Sequence, residues 1–261
     1  MAKIFETHAH YEGKRYDEDR EELFASFEKH NIHHVINISF DVESSKKGIL
    51  LAEKYPFVSV AVGIHPNYAK EVEEDYIQKL RELSKHKKVV AIGEIGLDYH
   101  YDFSSKDVQR KCFLEQLELV RETGLPVVIH NREADEDVYE ILKDSSTHGV
   151  MHCFSGDTSL ALKYIELGYV LGVGGIVTYK NADTLKDVVK NIPLDYLVVE
   201  TDAPYLSPVP HRGKRNDSTL LKYITAQIAQ IKEISIEEVE EVTWNNSVKL
   251  FNLSNLNEDT L

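Results

Sequence analysis

Eight short apolar runs, each followed by a helical pattern, set the strongest limit on how this chain folds. The runs cover residues 4–10 (IFETHAH), 33–39, 58–66, 89–97, 126–130, 149–154, 169–177 and 196–201. Between them, apolar residues recur at helical spacing. Leu23, Phe24 and Phe27 do so within 17–31, where Asp17 is the expected N-cap. Further helices are expected at 43–54, 72–86, 106–123 (closing on Gly124), 134–145, 158–167, 182–191, 218–232, 236–241 and 243–251. Strands that alternate with helices form a parallel sheet, and eight such units close into a (β/α)8 TIM barrel, here one α/β domain over residues 1–261. An open doubly wound sheet is the competing architecture. No G-x-G-x-x-G opens a βαβ unit, and GVGG (172–175) lacks the third glycine in register, so the barrel is preferred.

The polar residues at the ends of these runs point to chemistry. His8 and His10, Glu94, His130, His152 and Asp202 each lie at the carboxyl end of a run, where parallel strands converge and barrel enzymes keep their active sites. His8 and His10 are two apart on a strand, so their rings share a face. Glu94 sits in an otherwise apolar strand, where a lone carboxylate is costly, and no Lys or Arg neighbours it there. A single histidine at such a place is as readily a satisfied core residue. Five other histidines act as a control. His33, His34 and His148 precede their strands at the opposite face, and His30 and His86 close helices, where a cationic tip suits the dipole. Four imidazoles and two carboxylates exceed the three or four ligands of one catalytic zinc and are enough for two ions with open positions. Such a donor set takes Mg, Mn, Zn or Ni, with imidazole favouring the transition metals.

Composition narrows the partners. The 44 Asp and Glu outnumber the 30 Lys and Arg, for a formal net charge of −14, which argues against a broad basic face for nucleic acid. Cys112 and Cys153 are too few for a disulfide framework and suit a reducing compartment. No apolar run approaches the roughly 18 residues of a membrane span. The first residues begin a strand at once, so a cytoplasmic protein is expected.

THAH (7–10), GIHP (63–66), GEIGLDYHYD (93–102), VIHNR (128–132), HCFSG (152–156), ETDAPYLSP (200–208) and HRGKRN (211–216) together resemble the TatD-type metal-dependent deoxyribonucleases of the amidohydrolase superfamily. The resemblance runs from residue 4 to about 250. It implies that His8, His10, Glu94 and Asp202 hold one divalent ion, and that Glu94, His130 and His152 hold another. Asp202 would also orient or deprotonate the attacking water, with DNA as substrate and cleavage from the 3′ end of single strands. Glu94 stands where a carboxylated lysine bridges the metals in much of the superfamily. Asp217 and Ser218 replace the family's usual Glu-Pro, a departure that bears on the shape of that loop.

On the same face, His65, Arg132, Arg212, Lys214 and Arg215 are the expected phosphate contacts, and Tyr99, Tyr101 or Tyr205 the expected stacking partners for bases. Hydrolysis of a small amide, ester or lactone, or of D-aminoacyl-tRNA, is the alternative activity. A metal-stabilised scaffold without catalysis is a third reading. A serine nucleophile is disfavoured, because Ser155 lies in CFSG rather than G-x-S-x-G.

Overall fold

The β-branched runs form the strands expected of them. A computed structural model describes residues 2–257. The strands are β1 (Ile4–Ala9), β2 (Ile32–Ile38), β3 (Val58–Val62), β4 (Val89–Asp98), β5 (Val127–Arg132), β6 (Gly149–Met151), β7 (Tyr169–Val173) and β8 (Leu197–Val199). They lie in one sheet in sequence order, β1 to β8. The pairs β3–β4, β4–β5, β5–β6 and β7–β8 are parallel. A parallel bridge from Ala9 to Ala203 brings the end of β1 to the segment after β8. The chain is a (β/α)8 barrel. Strand residues are buried on both faces, as the continuous apolar runs require.

The helices are α1 (Arg20–Ala25), α2 (Val42–Lys54), α3 (Tyr76–Ser84), α4 (Lys106–Thr123), α5 (Asp135–Lys143), α6 (Thr158–Glu166), α7 (Asp183–Asn191), α8 (Leu221–Lys232) and α9 (Ile236–Leu250). Several differ from expectation. The helix expected at 17–31 shrinks to α1 flanked by 3-10 turns, and Asp17 is not its cap. The Asp17 carboxylate instead takes the Arg20 guanidinium at 2.7 Å. The helices expected at 236–241 and 243–251 are one, α9, capped by Ser235 through the Glu238 N–H. Strand β3 stops at Val62, and Pro66, which fixes φ and lacks an N–H, opens a 3-10 turn capped by His65. No described helix is long and apolar enough to cross a membrane.

Packing groups the residues into two compact units. One holds residues up to 35, 153–162 and from 170 onward; the other holds 36–152 and 163–169. In the first, Phe5 packs against Trp244 (5.5 Å) and Phe251 (6.0 Å), anchoring α9 to β1. Tyr11, Tyr16, Phe24 and Phe27 form a second aromatic cluster. In the other unit, two glutamines of α4 fasten strand ends. Gln116 accepts from the Ile64 N–H (2.7 Å) and donates to its carbonyl (3.1 Å). Gln109 does the same for Asp98, with both contacts at 2.8 Å. Each glutamine is buried and satisfies backbone groups that a strand ladder leaves open.

Candidate metal centre

Each unit carries a cluster of metal-type side chains at its strand ends. In the first, His8 and His10 flank the last residue of β1, and Asp202 follows β8. The His8 and His10 Nε2 atoms lie 3.3 Å apart, and they are 3.7 and 3.4 Å from Asp202 Oδ1. The backbone sets this arrangement: the Asp202 N–H donates to the His8 carbonyl (2.9 Å), and the His10 N–H to the Ala203 carbonyl (2.8 Å). Asp202 adopts φ 57°, a left-handed conformation unusual outside glycine, which turns its carboxylate toward the rings.

In the second unit, Glu94 lies in β4, His130 in β5, and His152 just after β6. His130 Nδ1 is 2.7 Å from Glu94 Oε1, and His152 Nε2 is 3.8 Å from the same oxygen. His65, expected as a substrate contact, joins this cluster, with Nε2 3.2 Å from His130 Nδ1 and 3.8 Å from Glu94 Oε1. Gly96 makes the close approach of β4 to β5 possible, since a Cβ there would fall 2.0 Å from the His130 carbonyl oxygen.

Asp98 decides how His130 is used. Its carboxylate is buried and gathers four donors. Oδ1 accepts from the His100 and Tyr101 N–H groups, both at 3.1 Å. Oδ2 accepts from Asn67 Nδ2 (3.4 Å) and from His130 Nε2 (3.1 Å). Burial pushes the Asp98 carboxyl up, but the His130 hydrogen bond, the Tyr101 N–H and the His130 and His65 charges together bring it down to about 2. An acceptor-only carboxylate fixes the proton on Nε2, leaving the Nδ1 lone pair facing Glu94 Oε1. Two acceptors 2.7 Å apart require a positive charge, either a proton or a metal ion. Burial works against charging His130, yet Asp98 and Glu94 raise its pKa above the ordinary imidazole value. This donor set therefore fits a divalent cation. His65, Asp98 and His130 can also bring one ligand atom each within 4.8 Å of the others. With four donors already on Asp98, its place is behind the ring, where a carboxylate orients a metal-binding imidazole.

Two more buried carboxylates support the first cluster. Glu6 accepts from the His8 N–H (3.2 Å), Thr201 N–H (2.8 Å), Thr201 hydroxyl (2.7 Å) and Ser218 hydroxyl (2.8 Å). Burial pushes its carboxyl up to about 8, against the pull of those bonds. Glu200 accepts from the Cys153 N–H at 2.7 Å, and only glycine at 172 leaves it room, since a Cβ there would lie 2.3 Å from Glu200 Oε2. Sequence reasoning missed Asp98, Glu6 and Glu200. The only local signal was an acidic residue in an apolar run, the same signal that singled out Glu94.

The expected contact residues divide. Arg132, Arg212 and Lys214 are exposed. The Arg132 guanidinium lies 4.8 Å over the Tyr101 ring, and that of Arg212 lies 4.1 Å over Tyr179. Arg215 is exposed as well. It is paired with Asp19, donates to the Arg15 carbonyl (2.7 Å) and covers the Tyr16 ring, so its charge is used within the chain. Tyr99 is likewise engaged, donating to Asp137 with the Lys106 ammonium 4.0 Å over its ring. Tyr205 is half exposed beside His10, with ring centroids 6.3 Å apart. The Asp217–Ser218 departure has a structural role: Asp217 caps the turn through the Thr219 N–H, and the Ser218 hydroxyl reaches Glu6.

Histidine and carboxylate clusters at the carboxyl ends of barrel strands define a metal-dependent hydrolase. Residues 5–252 match the family TatD related DNase, and the chain belongs to that family. It is similar to the uncharacterized metal-dependent hydrolase YabD of Bacillus subtilis, 42% identical over 254 residues, covering 96% of this chain and all of that protein. It is 32% identical to the uncharacterized metal-dependent hydrolase YcfH of Escherichia coli K12, over 96% of each chain. Among solved structures it resembles the TatD homolog YjjV of Escherichia coli, with a TM-score of 0.91, 30% identity, and coverage of 95% of this chain and 98% of that one.

Proposed function

We propose that this hydrolase is a deoxyribonuclease that removes nucleotides from the 3′ ends of single-stranded DNA. His8, His10, Glu94 and Asp202 hold one divalent ion in this reading, and Glu94, His130 and His152 hold the second, with Mg, Mn, Zn or Ni as the metal. When bound, such ions would supply positive charge that lowers the pKa of water and offsets charge developing on a phosphate. Asp202 orients the attacking water and takes its proton. Asp98 keeps His130 in the tautomer with Nδ1 open, and Glu6 holds the His8 and Thr201 backbones in register.

The observation that carries the reading is the pairing at His130: Nε2 bound by Asp98 and Nδ1 set 2.7 Å from Glu94, an arrangement that a metal ion in place of a second ring proton would satisfy. Family membership turns the reading toward DNA. The net charge of −14 means that attraction for a phosphate must be local, and exposed Arg132, Arg212 and Lys214 supply it.

The test is a product ladder. Protein stripped and reloaded with Mg, Mn or Zn is incubated with end-labelled single- and double-stranded DNA. Progressive 3′ shortening of single strands is expected, lost in Glu94→Ala. Equal activity of wild type and Glu94→Ala across metals would refute the proposal. Turnover of amides, lactones or D-aminoacyl-tRNA without turnover of DNA would replace it with the alternative hydrolysis.

A further inference from the structure

We infer that Arg132, Tyr101 and Phe103 form a stacking subsite for a nucleobase of a single-stranded substrate, an inference that rests on the nuclease reading. Tyr101 and Phe103 are 42% and 52% exposed, although apolar rings of this size ordinarily gain from burial. Their rings lie face to face, with centroids 5.2 Å apart and planes at 24°. The Arg132 guanidinium covers Tyr101 at 4.8 Å. Three planar groups from two segments thus sit in contact and form a stack to which a further planar group can add.

The position of the stack argues for a nucleic-acid strand as its occupant. Arg132 ends β5 two residues after His130. The Tyr101 N–H donates to Asp98 Oδ1, while His130 donates to Asp98 Oδ2. One buried carboxylate therefore fixes both a metal-type ligand and the segment that presents the aromatic rings. The aromatic pair thus lies on the segment that follows β4, beside the cation that ends β5. A single-stranded nucleic acid offers the matching chemistry: flat bases of any sequence, each followed by a negative phosphate. Sequence reasoning proposed Tyr99, Tyr101 or Tyr205 as the stacking partners. Phe103 extends the surface, and Tyr99 leaves the set because its hydroxyl is bound to Asp137.

The experiment compares kcat and KM for a labelled single-stranded oligodeoxynucleotide with those for a small phosphodiester that carries no base. Metal-reloaded wild type, Tyr101→Ala, Phe103→Ala and Phe103→Trp are assayed. Loss of one base–aromatic stack should raise the oligonucleotide KM about ten-fold in each alanine variant, with kcat nearly unchanged. The small diester should show wild-type KM, and Phe103→Trp should restore tight binding, with its indole emission quenched by the oligonucleotide. Cleavage of the oligonucleotide at unchanged KM in both alanine variants overturns the subsite and leaves the nuclease reading standing. An equal KM increase for the small diester also overturns it, because the rings would then only shape the loop. An oligonucleotide that wild type neither binds nor cleaves overturns the nuclease reading, and the subsite with it.

Discussion

Asp98→Asn changes one atom of a buried side chain, and the consequence can be followed proton by proton. Two fixed backbone donors, the His100 and Tyr101 N–H groups, occupy Asp98 Oδ1. An asparagine must keep its oxygen there, so its amide nitrogen faces His130 Nε2 across 3.1 Å. An amide donor accommodates that nitrogen only when it is unprotonated. The His130 proton then moves to Nδ1, where Glu94 Oε1 at 2.7 Å accepts it. The lone pair intended for a metal ion is gone. Restoring it requires breaking a hydrogen bond to a charged group, which costs about 1.5–3 kcal/mol. That corresponds to roughly ten- to hundred-fold weaker binding of one ion, the range typical of lost orienting carboxylates. Competition with a chromophoric chelator would measure the affinity and the number of ions per chain. Nitrogen chemical shifts of His130 would report the tautomer. Unchanged affinity for both ions, or a proton still on Nε2 in the variant, would refute the reasoning.

Glu6 has its carboxyl raised to about 8, above its ordinary value of 4.5, so the protonated form is favoured in the fold. Its contribution to stability is complete below about pH 4.5 and declines as pH rises toward 8. Denaturant titrations should therefore show wild type losing ground to Glu6→Gln across that window, and parallel curves would contradict the assignment. Gly96→Ala forces a Cβ to 2.0 Å from the His130 carbonyl oxygen and should cost about 2–3 kcal/mol, with metal affinity falling as β5 shifts; wild-type stability in thermal unfolding would show that the strands can part freely. Arg215→Ala removes a partly exposed pair with Asp19 and should change stability by less than about 1 kcal/mol, while leaving the oligonucleotide KM unchanged. A ten-fold KM increase there would return Arg215 to the substrate face.

The barrel was legible because each strand falls in an apolar run and each run is followed by a helical period. The candidate ligands stood out because imidazoles and carboxylates have no structural reason to end apolar strands. What stayed hidden depends on contacts distant in sequence. The pairing of Asp98 with His130 spans 32 residues, and the bond between Glu6 and Ser218 spans 212. Nothing near either acid announces its partner. Arg215 is a further case: a basic cluster in sequence gives no sign that Asp19, far upstream, pairs with one of its members. Helix α1 was overestimated because 17–31 keeps helical spacing while its ends turn more tightly than an α-helix.

Gln109 is buried on α4, behind the strand that carries Glu94, yet it grips Asp98 by its N–H and its carbonyl and reaches the Ser104 carbonyl as well, at 2.8 Å. The tolerances of the ligand cluster are thus machined from outside the barrel wall. Redesign of the mouth could exchange the side chains at 100–103 for other recognition surfaces without disturbing His130, provided that this amide and the His100 and Tyr101 N–H groups stay in place.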